Sequence, residues 1–273
     1  MAPAASLATI LGLACCSEQI APIWSTTLRK RDRSAPFSRQ LLASPVLQDA
    51  SMPVVNLLLS GLPRPERQRI LHHCTPVELV FGSVLCEPDR PYRHLYFPLT
   101  GFISLVTSLG DHHPLELGLI GNEGMLGATL VLGINNSPTR AVVQGAGSAL
   151  RISTAKLRQE LDACPRLLRA LKRYLYVLTV QLAQNAACGH FHEVEPRLAR
   201  WLLMTHDRAH SDHFHLTHKF LADMLGVRRS GVTIAAGTLQ QRRPIHDSRG
   251  EITILDRQGL EAAAGECADA QSE

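Results

Sequence analysis

Apolar residues recur along the chain with two different periods, and the change of period divides the sequence into regions. From Leu57 to Cys74 their spacing predicts two short helices, which a Gly-Leu-Pro break separates. Between Pro76 and Ile152 apolar and other residues alternate, and turn glycines recur about every ten residues, as in an antiparallel sandwich or barrel. From Asp162 to Gly189 the period is helical again. The pattern therefore predicts an α+β chain with a β-rich domain ahead of a long helix.

The long predicted helix carries a stripe of residues with the 3-4-3-4-3 spacing of a coiled-coil seam. Such a stripe either packs on the chain's own β domain or pairs with the same helix of a second copy. An Asn at a seam position suits the paired arrangement, because a polar group there fixes the register of two helices. We therefore expect a homodimer interface made by Leu168, Leu171, Leu175, Leu178, Leu182 and Asn185.

The stretch 216–255 has the pattern of two short helices joined by a tight turn. Thr217 can cap the first helix, in which apolar residues recur at helical spacing, and Gly226 then breaks the pattern. A second helix can begin near Arg228, and its inward face would hold Val232, Ala235, Ala236 and Leu239. Two helices joined by a glycine turn form a helix-turn-helix.

The outward face of the second helix has a composition that fits the major groove of DNA. Isoleucine among small polar residues is unfavourable toward water, whereas in the groove a Thr or Ile methyl can contact a thymine methyl and Arg can bind guanine. Two arginines lie at the N-terminal end of the helix, the end that reaches base edges in this motif. The predicted DNA-contacting residues are Thr217, Arg228, Arg229, Ser230, Thr233, Ile234, Gln241 and, in the segment that follows, Arg249.

A β-hairpin, or wing, is expected after this helix. Ile252 and Ile254 alternate after Gly250, as in the second strand of a hairpin. Seven basic and four acidic side chains lie from Thr217 to Arg257, a net charge of +3 out of +4 for the whole chain. Most of the net positive charge therefore lies in the last quarter of the chain, as expected where phosphates are bound.

The sequence LTHKFLADMLGVRRSGVT, followed by SRGEITILD, resembles the winged helix-turn-helix of the Crp/Fnr family of bacterial transcription regulators, particularly members without a cyclic-nucleotide signature. With the upstream segments, the resemblance covers roughly residues 53–267. It implies a jelly-roll-like β-roll similar to cyclic-nucleotide-binding domains, a homodimer on a two-fold-symmetric DNA operator, and RNA polymerase as a further partner. Arg229, Ser230 and Ile234 match base-reading positions of the family's cAMP-responsive members, and only Arg229 keeps their chemistry, so the operator sequence is not carried over.

Two departures from the family pattern change what the resemblance implies. Relatives have a Gly-Leu pair after the recognition helix where this chain has Arg243 and Pro244, and an Arg at a position suited to positive φ costs about 1 kcal/mol. The phosphate cassette departs at Met125, which has no oxygen to accept a ribose hydroxyl, so cAMP is not expected as the effector. Arg140 is retained, and it either binds a different effector anion or forms a surface ion pair with Glu123.

Composition limits the class of protein further. The 273 residues are 45% hydrophobic and 19% charged, with no apolar run near the ~18 residues that a membrane span needs, so we expect a soluble protein. Seven scattered cysteines without a Cys-x-x-Cys pair disfavour a disulfide framework and favour the cytoplasm. No cofactor or metal is expected, because the dense histidine group lacks a Cys or Glu to complete a ligand set: His206, His210, His213, His215 and His218.

These features predict five regions. Residues 1–52 form a disordered extension, 53–160 a β-roll effector domain, 161–189 a dimerisation helix, 190–267 a winged helix-turn-helix DNA-binding domain and 268–273 a tail. The expected function is transcription regulation by a DNA-binding dimer. Either its β-roll senses an unidentified signal or the regulator acts constitutively. Two alternatives are a ligand-sensing or scaffold dimer with a weakened DNA head, and a cupin-like enzyme, which we disfavour because the β-roll lacks regularly spaced metal ligands.

Overall fold

The computed structural model describes residues 56–108, 114–209 and 211–269. The predictions for residues 1–52 and for the end of the tail lie outside these ranges, as does His210. Within them, no helix combines the length and the apolar composition that crossing a membrane requires. The elements in chain order are α1 (Leu57–Ser60), α2 (Arg64–His72), β1 (Thr75–Leu79), β2 (Val84–Cys86), β3 (His94–Thr107), β4 (Leu115–Ile120), a 3-10 helix (Ala128–Leu132), β5 (Arg140–Ser153), α3 (Thr154–Leu161), α4 (Pro165–Phe191), α5 (Val194–Ala209), β6 (His213–His215), α6 (His218–Leu225), α7 (Arg229–Gln241), β7 (Ile245–Ser248), β8 (Glu251–Ile254), α8 (Arg257–Ala264) and α9 (Glu266–Asp269).

Strands β1 to β5 form an antiparallel sheet, the roll, as the alternating pattern predicted. The strand order is β1-β5-β3-β4, with β2 paired to β5. The long strands β3 and β5 pair with register shifts around Gly101, where φ is +71° and an added Cβ would lie 2.3 Å from the carbonyl oxygen of Gly145. Only glycine permits that approach, and the shifts bend the strands. They enclose a core that includes Leu95, Phe97, Ile103, Val143 and Ile152.

The long helix α4 packs its predicted seam on the roll. Leu171 is fully buried in the roll's core, and the Asn185 side-chain amide donates to the carbonyl oxygen of Leu117 at 2.6 Å. Three further leucines of the seam are partly buried against the same core: Leu168, Leu175 and Leu178. The predicted interface is therefore corrected for Leu171, since its side chain has no surface left for a second copy and packs within its own chain.

A different stripe of α4 is exposed. Tyr176, Val177, Val180 and Phe191 are 71%, 54%, 39% and 77% exposed. A seam with 4-3-4-3-4 spacing runs along this face and consists of Arg173, Val177, Val180, Gln184, Ala187 and Phe191. Both stripes of the helix thus have coiled-coil spacing, and the leucine-rich one covers the apolar core of the roll. Leu182 belongs to the predicted seam and is 40% exposed.

The helices α5 to α8 and a second sheet enclose a separate core in the last third of the chain. The sheet has three strands in the order β6-β8-β7. The predicted helix-turn-helix is α6 and α7, and the predicted wing is β7 and β8. Strand β6 was not predicted: part of the histidine-rich segment pairs with β8 and buries Phe214 between two exposed histidines. Alternation in a three-residue strand is too short to recognise as a pattern.

Helix α5 connects this core to the roll through buried polar contacts. The Trp201 indole N–H donates to a carboxylate oxygen of Glu116 on β4 at 2.7 Å, and the other oxygen lies 2.6 Å from the Ser104 hydroxyl. Arg208 forms an ion pair with Glu123 at 2.8 Å. Burial raises the pKa of Glu116 to about 7, although hydrogen bonds from Ser104 and Trp201 act in the opposite direction. A titrating carboxyl therefore lies where the roll meets the part of the chain that holds the helix-turn-helix.

Candidate nucleic-acid interface

The turn between α6 and α7 fixes the position of the second helix. The Thr217 hydroxyl accepts a hydrogen bond from the backbone N–H of Phe220 at 3.2 Å, so it caps α6 as predicted. Helix α6 ends at Gly226, which has φ of 63° and lets the next N–H, that of Val227, bond back to the carbonyl oxygen of Ala222 at 3.0 Å. The chain then leaves the turn in an extended conformation at Arg228, the residue before α7.

The predicted orientation of α7 is confirmed. All four residues expected on its inward face are buried: Val232, Ala235, Ala236 and Leu239. The predicted DNA-contacting residues Ser230, Thr233, Ile234 and Gln241 are all exposed, as is Gly237 on the same outward face. The side chain of Ile234 is 71% exposed at the middle of this face. A rigid helix thus presents an apolar methyl-rich patch within a polar surface, and burying it against another molecule would be favourable.

Four arginines around α7 carry uncompensated charge. Arg228 and Arg229 lie at the N-terminal end of the helix, Arg243 follows its C-terminal end, and Arg249 lies in the turn of the wing. Among the described residues, none of these side chains has an ion-pair or hydrogen-bond partner. Arg242, by contrast, pairs with Glu195 at 2.7 Å. The four unpaired guanidinium groups are therefore available for an external anion.

The start of α7 adds a second source of positive potential. The capping position is Arg228, whose side chain makes no capping hydrogen bond, so no side-chain acceptor occupies the N–H groups of the first turn. The helix has 13 residues, and its dipole leaves partial positive charge at this end. Free N–H groups next to Arg228 and Arg229 form the kind of environment in which helices bind phosphate.

The wing is a tight hairpin that places an arginine at its tip. Strands β7 and β8 are joined by two residues, Arg249 and Gly250, with φ of 54° and 85°. Positive φ at both positions is typical of a type I′ turn, which matches the twist of paired strands. Arg243 also has positive φ, 68°, so the strained position expected from its replacement of the family's glycine is present. An arginine with positive φ therefore lies on each side of β7, the first strand of the wing.

A polar network that the sequence does not reveal ties the wing to both helices. His218, at the start of α6, bonds through one ring nitrogen to the Thr233 hydroxyl at 3.0 Å and through the other to the Asp247 carboxylate at 2.6 Å. The Gln240 side-chain carbonyl accepts the backbone N–H of Asp247 at 2.7 Å. These partners lie far apart along the chain, so no local spacing predicts them. The network holds Thr233, a predicted base-contacting residue, in one orientation.

The histidines next to this network pair with acidic residues. His213 and His215 on β6 contact the two carboxylate oxygens of Glu251 at 2.9 and 2.6 Å. The hydrogen bond from His215 lowers the pKa of Glu251. His206 lies 2.7 Å from Asp212. The histidine-rich segment thus serves largely as a set of partners for nearby carboxylates.

The predicted effector residues on the roll are partly corrected. Arg140 forms an ion pair with Glu87 at 3.2 Å and is about half exposed, while Glu123, the partner that the sequence suggested, pairs with Arg208. Met125 is fully buried, so its side chain is part of the core. Arg140 thus pairs with a different carboxylate than the sequence suggested, and its role toward an effector anion stays a prediction.

Comparisons with known proteins agree with this architecture. A profile of the Crp-like helix-turn-helix domain matches residues 196–263. A comparison with curated proteins found no match. One similar solved structure is the c-di-GMP-responsive global regulator CLP of Xanthomonas campestris, with 19% identity, a TM-score of 0.58, and coverage of 70% of this chain and 99% of that one.

Two further solved structures have the same fold. A protein from Eubacterium rectale described as a transcriptional regulator of the Crp/Fnr family has 15% identity and a TM-score of 0.61, covering 76% of this chain and 97% of that one. FixK2 from Bradyrhizobium japonicum has 16% identity and a TM-score of 0.59, covering 70% of this chain and 98% of that one. Residues 196–263 therefore form a Crp-like helix-turn-helix domain, and the chain shares its fold with these three solved structures.

Proposed function

We propose that this protein is a transcription regulator that binds a two-fold-symmetric DNA operator as a homodimer, with α7 of each copy in a major groove. The observation that carries the proposal is the outward face of α7, where the exposed Ile234 lies between arginines that have no partner within the described chain. An exposed isoleucine is unfavourable in water, whereas in the major groove its methyl groups can contact thymine methyl groups. The predicted base-contacting set is Arg229, Ser230, Thr233 and Ile234, with Arg228, Arg243 and Arg249 at phosphates.

Dimerisation is proposed through the exposed stripe of α4. Val177, Val180, Ala187 and Phe191 would be buried between two copies, in place of the predicted stripe that ends at Asn185. This assignment follows from exposure, because Asn185 already bonds to Leu117 and to Arg200 within the chain. A paired helix 27 residues long would hold two α7 helices at a fixed separation, which is how this class of motif reads half-sites one helical turn apart.

RNA polymerase is proposed as the partner of the DNA-bound dimer, on the resemblance to the family alone. An effector is left unassigned. Cyclic nucleotides are disfavoured, since Met125 offers no ribose acceptor and Arg140 already has the carboxylate of Glu87 as its partner.

A ligand-sensing or scaffold dimer with a weakened head is the second candidate, and one observation favours it. Arg243 adopts φ of 68° in the position where relatives have glycine, so the wing is attached through a strained residue. Replacing Arg243 with Gly and Pro244 with Leu separates the two candidates. A large gain in DNA affinity would support the weakened head, whereas a reduced affinity, expected from the lost Arg243 phosphate contact, or no gain would support a competent one.

The proposed function is tested by the salt dependence of DNA binding. Fluorescence anisotropy would compare the duplex upstream of the protein's own gene with a random duplex at several salt concentrations. Arg249→Ala should reduce the slope of log K against log salt by about 1 and weaken both duplexes alike, because a phosphate contact carries no sequence information. Arg229→Ala should cost about 1–3 kcal/mol, mostly on the specific duplex.

A matched control is Arg257→Ala, which removes the same charge from the same domain. Arg257 is held by Asp207 at 2.5 Å and by Glu261 at 2.9 Å, so its loss should leave the salt slope nearly unchanged. Equal effects of all three substitutions would mean that net charge alone drives binding. No difference between the upstream and random duplexes would remove sequence-specific regulation from consideration.

A further inference from the structure

Three potential metal ligands meet where the long helix ends. Cys188 lies in the last turn of α4, His192 directly follows that helix, and Cys267 lies in α9. The two sulfur atoms and one ring nitrogen all lie within 4.8 Å of one another. The Sγ atom of Cys267 is 2.8 Å from Nδ1 of His192. Both cysteines are buried and the histidine is partly exposed, so the cluster is open to solvent on one side only.

We infer that Cys188, His192 and Cys267 form a binding site for a thiophilic divalent cation of the Zn²⁺ class, which links the end of α4 to the last helix of the DNA-binding domain. Two thiolates and an imidazole are a ligand set that zinc takes up tetrahedrally. This site lies outside the histidine-rich segment in which the sequence suggested looking for a metal, and it is independent of whether the protein binds DNA.

The geometry fits a tetrahedral ion with small adjustments. Zn–S bonds of about 2.3 Å and Zn–N bonds of about 2.0 Å place neighbouring ligand atoms roughly 3.5–3.8 Å apart. The separations in the cluster reach at most 4.8 Å, and the shortest is 2.8 Å. Movements of about 1 Å by two cysteine and one histidine side chains would therefore bring all three ligands to bonding positions. The fourth position is left for water or an external ligand.

The surroundings support thiolate ligands. The Gln184 side-chain amide, one helical turn before Cys188, donates to its Sγ at 3.4 Å, as an outer partner would donate to a thiolate. Two thiolates would neutralise a divalent ion, so the occupied site would add no net charge to this buried region.

Occupancy would join segments that belong to two separate cores. Cys188 and His192 are on the helix that packs against the roll, whereas Cys267 follows α8, which packs on α5 in the DNA-binding core. Arg197 of α5 also donates to the carbonyl oxygen of Leu225, next to the turn of the helix-turn-helix. An ion at the cluster would therefore restrain the DNA-binding domain relative to α4.

The test is metal binding by the full-length reduced protein, stripped with a chelator and titrated with Zn²⁺ against a chromophoric competitor in the absence of DNA. We expect one ion per chain, and substitution with Co²⁺ should give a thiolate-to-metal absorption band together with the intense visible bands of a four-coordinate ion. Cys188→Ser, Cys267→Ser and His192→Gln should each weaken binding by about 100-fold or more, since even an outer-shell partner is worth about 10- to 100-fold.

Cys74→Ser is the matched control, because this half-buried thiol packs against the core of the roll and belongs to no ligand cluster among the described residues. His192→Gln keeps the test valid if a serine at a buried position disturbs folding, because His192 is partly exposed; thermal unfolding of each variant checks this. The proposal is overturned if the wild-type protein binds no ion, if the three substitutions leave affinity unchanged, or if Cys74→Ser lowers it equally.

Discussion

The buried carboxyl of Glu116 should make the stability of the fold depend on pH. This side chain is fully enclosed between β4 and α5, and burial raises its pKa to about 7 from the ordinary 4.5. The gap between these values corresponds to about 3 kcal/mol, at about 1.4 kcal/mol for each pKa unit. The hydrogen-bond donors Ser104 and Trp201 reduce the gap without closing it.

The direction of the effect follows from the protons bound in each state. Between about pH 4.5 and about pH 7 the folded protein holds the Glu116 proton while the unfolded chain has released it. The unfolding free energy therefore falls as pH rises through this window and stops falling above it. Glu116→Gln supplies a neutral side chain of nearly the same shape, whose carbonyl oxygen can still accept the Trp201 N–H. The unfolding free energy of the variant should lack this fall with pH, which amounts to up to about 3 kcal/mol in the wild type. The variant should therefore be more stable than the wild type at alkaline pH.

The assay is urea unfolding followed by circular dichroism at pH values from about 5 to about 8, for wild type and variant side by side. The difference in unfolding free energy between Glu116→Gln and wild type should grow in the variant's favour as pH rises. Glu78→Gln, at an exposed position on β1, is the control and should follow the wild-type curve. Parallel curves for Glu116→Gln and wild type would refute the assignment of a raised pKa to this carboxyl.

Three further substitutions test the wing, the outward face of α7 and the proposed dimer. Arg243→Gly should raise the unfolding free energy by about 1 kcal/mol, because it relieves positive φ at a non-glycine residue, and an unchanged urea midpoint would contradict this. Gly237→Ala should also stabilise the protein by about 1 kcal/mol, since an added Cβ meets no atom within 4 Å in the helix interior; a loss measured by the same unfolding assay would show that the position is crowded. Val177→Glu should convert a dimer into a monomer in sedimentation velocity, because it places charge in the exposed stripe of α4. Thr179→Glu, on another face of the helix, is the control and should leave the dimer intact. A dimer that survives Val177→Glu would exclude this interface.

The helix-turn-helix was predictable from sequence because everything that defines it is local. Thr217 caps α6 by accepting a hydrogen bond from the N–H three residues later, and Gly226 ends that helix in a left-handed conformation. The spacing from Val232 to Leu239 fixes which face of α7 is buried. Periodicity, caps and glycine turns all operate within one or two helical turns. The strained conformation of Arg243 was instead expected from the family resemblance, which places a glycine at this position.

Local spacing did not predict which stripe of α4 is buried in the chain's own core. The helix has two stripes with coiled-coil spacing, and the pattern within it does not tell which one covers the roll. That choice depends on the shape of a core assembled from β3, β5 and α1, which are distant in sequence. Leucine content suggested a dimer seam, whereas Leu171 lies in the chain's own core.

Contacts between distant residues were missed for the same reason. His218 and Asp247, or Arg140 and Glu87, carry no spacing that relates them. Only two members of the metal-ligand cluster are close in sequence, since Cys188 lies in the last turn of α4 and His192 directly follows that helix. Its third member, Cys267, comes near only through the packing of α8 and α9.

The most direct test of the proposed function is recovery of the DNA that the protein occupies across its genome, for the wild type and for a variant carrying both Arg229→Ala and Ile234→Ala. We predict a common inverted repeat whose half-sites are centred about 10–10.5 base pairs apart, or a multiple of that distance, and loss of that motif in the variant. Occupied regions that share no two-fold-symmetric motif, or that stay the same in the variant, would contradict the conclusion that α7 reads an operator.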